Sequence, residues 1–346
     1  MYYFFFSFFL SFVLTLLIKW LALGYDIVDK PDGQRKIHGR IVPLLGGVAI
    51  FLAFWLTIFF LFLTGGLSSI FSEHLLGVFF GGLVLIILGY FDDRYNLPVK
   101  IRLGVSVLAV LLVLIGGVGI DGITNPLGGI LSLDMWKLSL LGGEFVVLAD
   151  ILVFFWLMGM MYTTKILDGL DGLATGIIMI GGVMIFLLST FTIFKQADVS
   201  LVSLVLVGAC LGFLLWNFYP AKIFLGEGGG LFLGFILGVL AIISGGKIAT
   251  ALLVMAFPVF DLVRVIYLRI KNKQSMTLGD RRHLHFQLVD VGFSQRQVVL
   301  FLYAVAFIFG MTTLFFPSHL KIITLIVLGL AMVTVGVLLD KKQIKH

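Results

Sequence analysis

The sequence predicts an all-α polytopic integral membrane protein, on three observations. Of its 346 residues 60% are hydrophobic and 12% charged, with a mean hydropathy of +1.16, more apolar side chain than the core of one soluble domain can hide. The apolar residues come in runs of about 17 to 23, the length with which a helix crosses roughly 30 Å of hydrocarbon. Strand-like alternation is scarce, which disfavours an outer-membrane barrel. Basic residues gather in every second connection between the runs, as they do in loops that stay in the cytoplasm.

Eleven transmembrane helices are expected, near 1–23, 46–64, 75–91, 103–120, 145–163, 173–194, 199–219, 229–245, 248–268, 297–315 and 320–339, in a single transmembrane domain covering residues 1–346. The first run lacks a basic leader and a small-residue cleavage site and is expected to be a retained span. Eighteen of the 24 Lys and Arg residues fall in the loops after odd-numbered spans and in the C-terminal tail. That bias puts those loops in the cytoplasm and the N-terminus outside. The longest outer connection, Asp121 to Glu144, carries a turn signal (NPLGG) followed by alternation (LSLDMWKLSL) and is expected to form a small hairpin. Cys210 is the only cysteine, so neither an intrachain disulfide nor a thiolate metal cluster can form. The formal net charge of +6 is mostly the cytoplasmic bias. It suits membrane lipid headgroups and phosphates as partners and gives no reason to expect nucleic acid.

Five polar clusters interrupt the hydrocarbon, all in loops assigned to the cytoplasm: DKPDGQRKIHGRIVPLLGG from Asp29, GYFDDRYNLPVK from Gly89, KILDGLDGLATG from Lys165, NFYPAKIFLGEGGG from Asn217 and GDRRHLHFQL from Gly279. Asp92 and Asp93 are adjacent carboxylates at a membrane boundary, which repel unless a cation offsets them, although such a pair also serves simply to end a helix in solvent. Asp168 and Asp171 share a face if their segment is helical, and Gly169 and Gly172 let a bulky ligand approach the backbone; a capped turn at a helix start is the plainer alternative. Four carboxylates on one side suit a hard, oxygen-preferring ion such as Mg²⁺.

Glu227 precedes three glycines and a new span, where backbone N–H groups at a helix N-terminus can cradle an anion and the carboxylate can ligate a metal. Arg281, Arg282, His283 and His285 suit a pyrophosphate, or else lipid headgroups. Arg35, Lys36 and His38 admit the same two readings. Asp261 and Arg264, three residues apart inside an expected span, read as an ion pair that satisfies itself.

Taken together, DKP…RKIH…PLLGG, DDR, DGLDGLATG, PAKIFLG and RRHLH, in this order between about residues 29 and 297, resemble the polyprenyl-phosphate N-acetylhexosamine-1-phosphate transferases (glycosyltransferase family 4). That family includes the GlcNAc-1-phosphate transferases that initiate lipopolysaccharide and teichoic-acid synthesis and the MurNAc-pentapeptide translocase. DDR and the RRHLH…LVDVGFSQRQ loop look more like the GlcNAc-1-phosphate branch, with phospho-MurNAc-pentapeptide transfer as the alternative. The resemblance implies an active site built from cytoplasmic loops of a cell-membrane protein. There a sugar-1-phosphate, GlcNAc-1-phosphate in first place, passes from a UDP-sugar to polyprenyl (undecaprenyl) phosphate with release of UMP. It implies Mg²⁺ as cofactor, with Mn²⁺ as the substitute, and allows a homodimer.

Carried over residue by residue, the resemblance implies catalytic roles for Asp92, Asp93, Asp168 and Asp171, and metal ligation by Asp93, Asp168 and Glu227. It implies substrate binding by Lys36, His38, Asn217, Lys222, Arg281, Arg282, His283 and His285; Lys165, where the chain departs from the pattern, is expected either to bind substrate by neutralising the pyrophosphate or to pair with Asp168 and block the metal. Asp92 is expected to orient the acceptor phosphate or take its last proton. Direct in-line attack by the lipid phosphate and a covalent aspartyl intermediate remain alternatives. The chain also departs from the family pattern: Tyr162 and Lys165 stand where asparagines are usual, Glu227 where an aspartate is, glycines 228 and 230 where hydroxyl residues are common, and Phe286 where a further histidine is. These departures motivate a second reading, a non-catalytic relative that binds lipid phosphate or UDP-sugar as a scaffold or regulator. A transporter is a third, disfavoured because the charges lie in loops rather than near the midplane.

Overall fold

A computed structural model describes the chain except for residues 32–39, 121, 125–129, 134–136, 141–142, 192–194, 246, 275–281 and 344–346. The helices are α1 (Tyr2–Gly24), α2 (Gly46–Leu63), α3 (Ser69–Tyr95), α4 (Val99–Ile115), α5 (Val147–Leu167), α6 (Leu173–Phe191) and α7 (Ala197–Asn217), then α8 (Glu227–Ile243), α9 (Ile248–Val254), α10 (Ala256–Lys271), α11 (Leu284–Asp290), α12 (Gln295–Phe315) and α13 (Ser318–Gln343). Among the described residues, eight helices are long and apolar enough to cross a membrane, or nine if α9 and α10 form one broken span. The protein is thus an all-α multi-pass membrane protein, but the expected count of eleven is not confirmed. The other two expected spans, α4 and α8, are helices of 17 residues each, about 25 Å long.

The central element is α8, buried from Gly228 to Ile242. Its glycines explain how a helix can be enclosed on several sides at once. A Cβ at Gly228 would stand 2.9 Å from the Gly89 Cα of α3, and one at Gly229 2.7 Å from the Gly47 Cα of α2. Four residues apart, Gly230, Gly234 and Gly238 face α5; at Gly234 a Cβ would meet the Met160 carbonyl oxygen at 2.3 Å. In lipid, where apolar burial between helices gives little net drive, such backbone-to-backbone approach is a main source of attraction. Helix α1 uses the same device against α7: Ser7 and Ser11 donate hydroxyls to the Val205 and Ala209 carbonyls (2.8 and 2.7 Å), while its Phe5, Phe6 and Phe9 stay exposed where lipid belongs.

The axes of α9 and α10 differ by 73°. Pro258, third residue of α10, has no N–H for the Val254 carbonyl and so interrupts the ladder at the break. Beyond it, α10 turns Asp261, Arg264 and Arg269 inward and leaves Val263, Tyr267 and Ile270 exposed, the reverse of a soluble amphipathic helix.

The short strands are local. β1 (Val28–Asp29) pairs antiparallel with β2 (Val42–Pro43) and closes the first polar loop at its base. Between α4 and α5 there are two hairpins rather than the single one expected: β3 (Gly122–Thr124) with β4 (Ile130–Ser132), and β5 (Lys137–Leu140) with β6 (Gly143–Val146). The residues of NPLGG lie outside the described residues, and the alternating stretch is divided between the two hairpins, its start in β4 and its end in β5.

Candidate active site

The C-terminal ends of α3, α5 and α10, the N-terminal end of α8 and the β1–β2 ladder surround one open cavity of about 1830 Å³. The loops are tied to one another through the backbone. Gly46 and Gly47, entering α2, donate to the Phe224 and Leu225 carbonyls (2.9 and 2.7 Å), and Phe224 donates to Pro43 (2.8 Å). The link holds the PLLGG entry to the PAKIFLG segment, with Leu45 between them in the left-handed region at φ +73. A non-glycine residue is held there only where surrounding contacts outweigh the strain.

Asp93 is the side-chain cap of α8. Its Oδ1 accepts the Glu227 backbone N–H at 3.1 Å, and Oδ2 lies where a Cβ at Gly226 would approach to 2.5 Å. With φ +78 as well, position 226 admits only glycine without strain. The helix start expected to cradle an anion therefore has one of its N–H groups taken up by the chain's own Asp93 carboxyl.

Asp92, 3% exposed, is also committed. Its carboxylate accepts the Leu97 backbone N–H at 2.7 Å and the Arg102 guanidinium at 3.3 Å. It therefore fixes the α3–α4 turn and aims Arg102, which lines the cavity.

Asp168 and Asp171 do not share a helical face, because α5 ends at Leu167 and α6 begins at Leu173. They stand in the turn between, whose Gly172 takes φ +80, and Gly169 packs under Phe286 and His285. Asp171 accepts the Ala221 N–H at 2.9 Å and so binds this turn to the α7–α8 connection. Burial, then the charges of Glu227, Asp93 and Asp171, hold the Asp168 carboxyl well above the usual carboxylate range, with Lys165 opposing them. Lys165 itself forms an ion pair with Glu227.

The expected metal set of Asp93, Asp168 and Glu227 thus lies on one cavity wall and has the oxygen donors a hard divalent ion requires. It is not preassembled: among the described residues no three His, Cys, Asp or Glu side chains are grouped so as to hold an ion.

The remaining expected residues divide. Lys165 and His283 line the cavity. Asn217 lines it too, but its amide is used in the fold, accepting from Thr175 (3.3 Å) and donating to the Ile223 carbonyl (3.0 Å). Lys222 lies over the Trp216 ring, 5.0 Å from its centroid, at the exposed rim. Arg282 donates to Gln274 at 2.7 Å. His285 is fully buried, and among the described residues neither of its ring nitrogens has a hydrogen-bond partner. Burial depresses its pKa to about 3, so it supplies no positive charge to a pyrophosphate and instead packs beneath the Asp168–Asp171 turn. Lys36, His38 and Arg281 lie outside the described residues.

Asp261 and Arg264 do pair (3.1 Å), but they do more than satisfy each other. Asp261 also accepts from His283 Nδ1 (2.8 Å) and the Leu284 N–H (3.1 Å), and Arg264 donates to Gln287 (3.2 Å) and to the Arg282 carbonyl. This buried network fastens the RRHLH segment to α10. Because a carboxylate only accepts, it keeps a proton on His283 Nδ1. Sequence reading missed this anchoring role, and missed Arg102 and Arg269 on the cavity wall; a charged pair inside an apolar run was the available signal.

Glycosyl transferase family 4 matches residues 75–245. A Bacillus subtilis protein described as "Probable undecaprenyl-phosphate N-acetylglucosaminyl 1-phosphate transferase" is 30% identical over 318 residues, covering 88% of this chain and 82% of that protein. The decaprenyl-phosphate N-acetylglucosaminephosphotransferase of Mycobacterium leprae is 29% identical, covering 90% of this chain and 83% of its own. The undecaprenyl-phosphate alpha-N-acetylglucosaminyl 1-phosphate transferase of Salmonella typhi is 28% identical, covering 89% and 81%. With relatives that run along most of its length and its motif loops drawn to one cavity, the chain belongs to glycosyl transferase family 4, that of the polyprenyl-phosphate N-acetylhexosamine-1-phosphate transferases.

Proposed function

We propose that the protein transfers N-acetylglucosamine 1-phosphate from a UDP-sugar to a polyprenyl phosphate at the cytoplasmic face of the membrane, releasing UMP. The observation that carries this reading is the mixed charge of the cavity wall. Asp93, Asp168, Asp171 and Glu227 stand there with Lys165, Arg102, Arg269 and His283, a composition suited to phosphates held with a cation. The names of the relatives supply the sugar and the lipid.

Asp93, Asp168 and Glu227 are the residues that would hold Mg²⁺, whose chemistry when bound is to neutralise charge developing on the leaving nucleotide. The chain's own groups do the rest. A phosphate monoester is already largely ionised near neutral pH, so the acceptor needs placing more than deprotonating. Arg102, aimed by Asp92, is the placing group in this reading, and Asp92 acts through it. Arg269 and His283, the latter fixed by Asp261, receive the donor phosphates.

The test is UMP release by purified protein in nanodiscs with UDP-GlcNAc, undecaprenyl phosphate and Mg²⁺, beside the same mixture with chelator or without the lipid. Release that needs both is expected. Silence with a panel of UDP-sugars, while nucleotide still binds, would instead identify a non-catalytic relative.

A further inference from the structure

The Glu227 carboxylate is compensated from within the chain. Lys165 in the last turn of α5 reaches Glu227 at the first position of α8. The backbone sets this meeting: at Gly230, one turn into α8, a Cβ would stand 3.4 Å from the Lys165 Cα. Helices so closely spaced leave the two side chains little choice of partner, and Lys165 is only 22% exposed. The extra methylene of glutamate over aspartate gives position 227 the reach to meet the ammonium. Meanwhile no three acidic or histidine side chains among the described residues are grouped for a metal ion.

We propose that Lys165 is the resident counter-cation of this carboxylate, and that it and a divalent ion exclude one another at Glu227 until the diphosphate of a nucleotide substrate draws the ammonium away. The inference deepens the transferase reading and rests on it. A lysine is fit for the exchange because its ammonium rides a flexible four-carbon stem with three rotatable donors. A diphosphate offers more negative charge than one carboxylate, so the ammonium moves to it, and Glu227 is released with a full charge and no partner. Metal then binds where it was excluded. Nucleotide and metal are thereby coupled, each raising the affinity for the other by the same factor. A neutral amide at position 165 removes this contribution to the coupling and leaves only the direct attraction between metal and diphosphate.

The probe is Mn²⁺ alone, its binding to the full-length detergent-solubilised protein followed by its paramagnetic resonance signal without nucleotide. Wild type is expected to bind weakly. Lys165→Met and Lys165→Asn are expected to bind about tenfold or more tightly, the usual effect of removing a like charge from an ion's immediate surroundings. Lys165→Arg keeps the cation and stays weak, and Glu227→Gln added to Lys165→Met removes the gain. Wild-type affinity equal to that of the neutral variants would overturn the proposal.

A second measurement uses wild type only: UDP, after allowance for its own chelation of Mn²⁺, must tighten metal binding, and failure to do so overturns the proposal independently of any variant's folding. Lipid-linked product from a protein with equal Mn²⁺ affinities leaves the function standing and removes Lys165 from it. An affinity difference in a protein that forms no product does the reverse.

Discussion

At the scale of single residues, the site shows how little a motif says about the job of each member. Asp92 and Asp93 are adjacent in sequence, yet one holds a turn and an arginine while the other caps a helix 134 residues away. His283 and His285 differ as sharply: one is hydrogen-bonded to Asp261 on the cavity wall, the other is sealed in with no hydrogen-bond partner among the described residues. That seclusion has a pH signature. The folded-state pKa of His285 is lowered from an ordinary 6.5 to about 3, so the unfolded chain takes up the proton first. Stability from this residue is complete above about pH 6.5 and is lost as pH falls towards about 3, on the order of 2 kcal/mol by about pH 5. In thermal unfolding between about pH 7 and 4.5, wild type should lose melting temperature more steeply than His285→Leu; parallel curves would contradict the assignment. The acidic and basic positions were legible because charge is rare in this chain. Their division of labour was not, because it depends on partners far along the sequence.

At the scale of elements, α8 carries the site on a surface of glycines. The run GEGGG reads as a loop signal and hints at an anion cradle, but the fold uses Gly228, Gly229 and Gly230 to admit three neighbouring helices. Sequence reading placed the helix correctly and misjudged what its glycines do, since a glycine gives no sign of which backbone will approach it. Gly234→Ala puts a methyl against the Met160 carbonyl and should cost about 1–3 kcal/mol as α5 and α8 are forced apart. Transfer should fall with it, because the same contact sets Lys165 against Glu227. Gly159→Ala on α5 is the control: a Cβ there meets nothing within 4 Å, so helix propensity should give a gain of about 0.5–1 kcal/mol. Equal melting shifts for the two would show that the glycine stripe does not set the helix spacing. The break at Pro258 escaped the hydropathy pattern for a related reason: α9 and α10 together are apolar enough for one span, and apolarity does not register a bend.

At the scale of the whole molecule, the alternation of basic loops gave a consistent direction, and the cavity opens among the ends that carry them. The proposed orientation, N-terminus outside, can be read by thiol labelling because the chain's Cys210 is buried. A membrane-impermeant maleimide added to intact cells should modify Thr64→Cys, in the first outer connection, and spare Lys30→Cys until the cells are opened; the opposite pattern would invert the protein. Fold class was the most legible property of all, since long apolar runs in lipid have one backbone solution. The measurement that tests the central claim most directly is formation of lipid-linked sugar phosphate from labelled UDP-GlcNAc and undecaprenyl phosphate by wild type, Asp93→Asn and Asp168→Asn, with nucleotide binding measured on the same preparations. The account predicts product from wild type and losses of about 10²-fold or more in both variants, with nucleotide still bound. Undiminished product from both variants would place the chemistry somewhere other than this cavity.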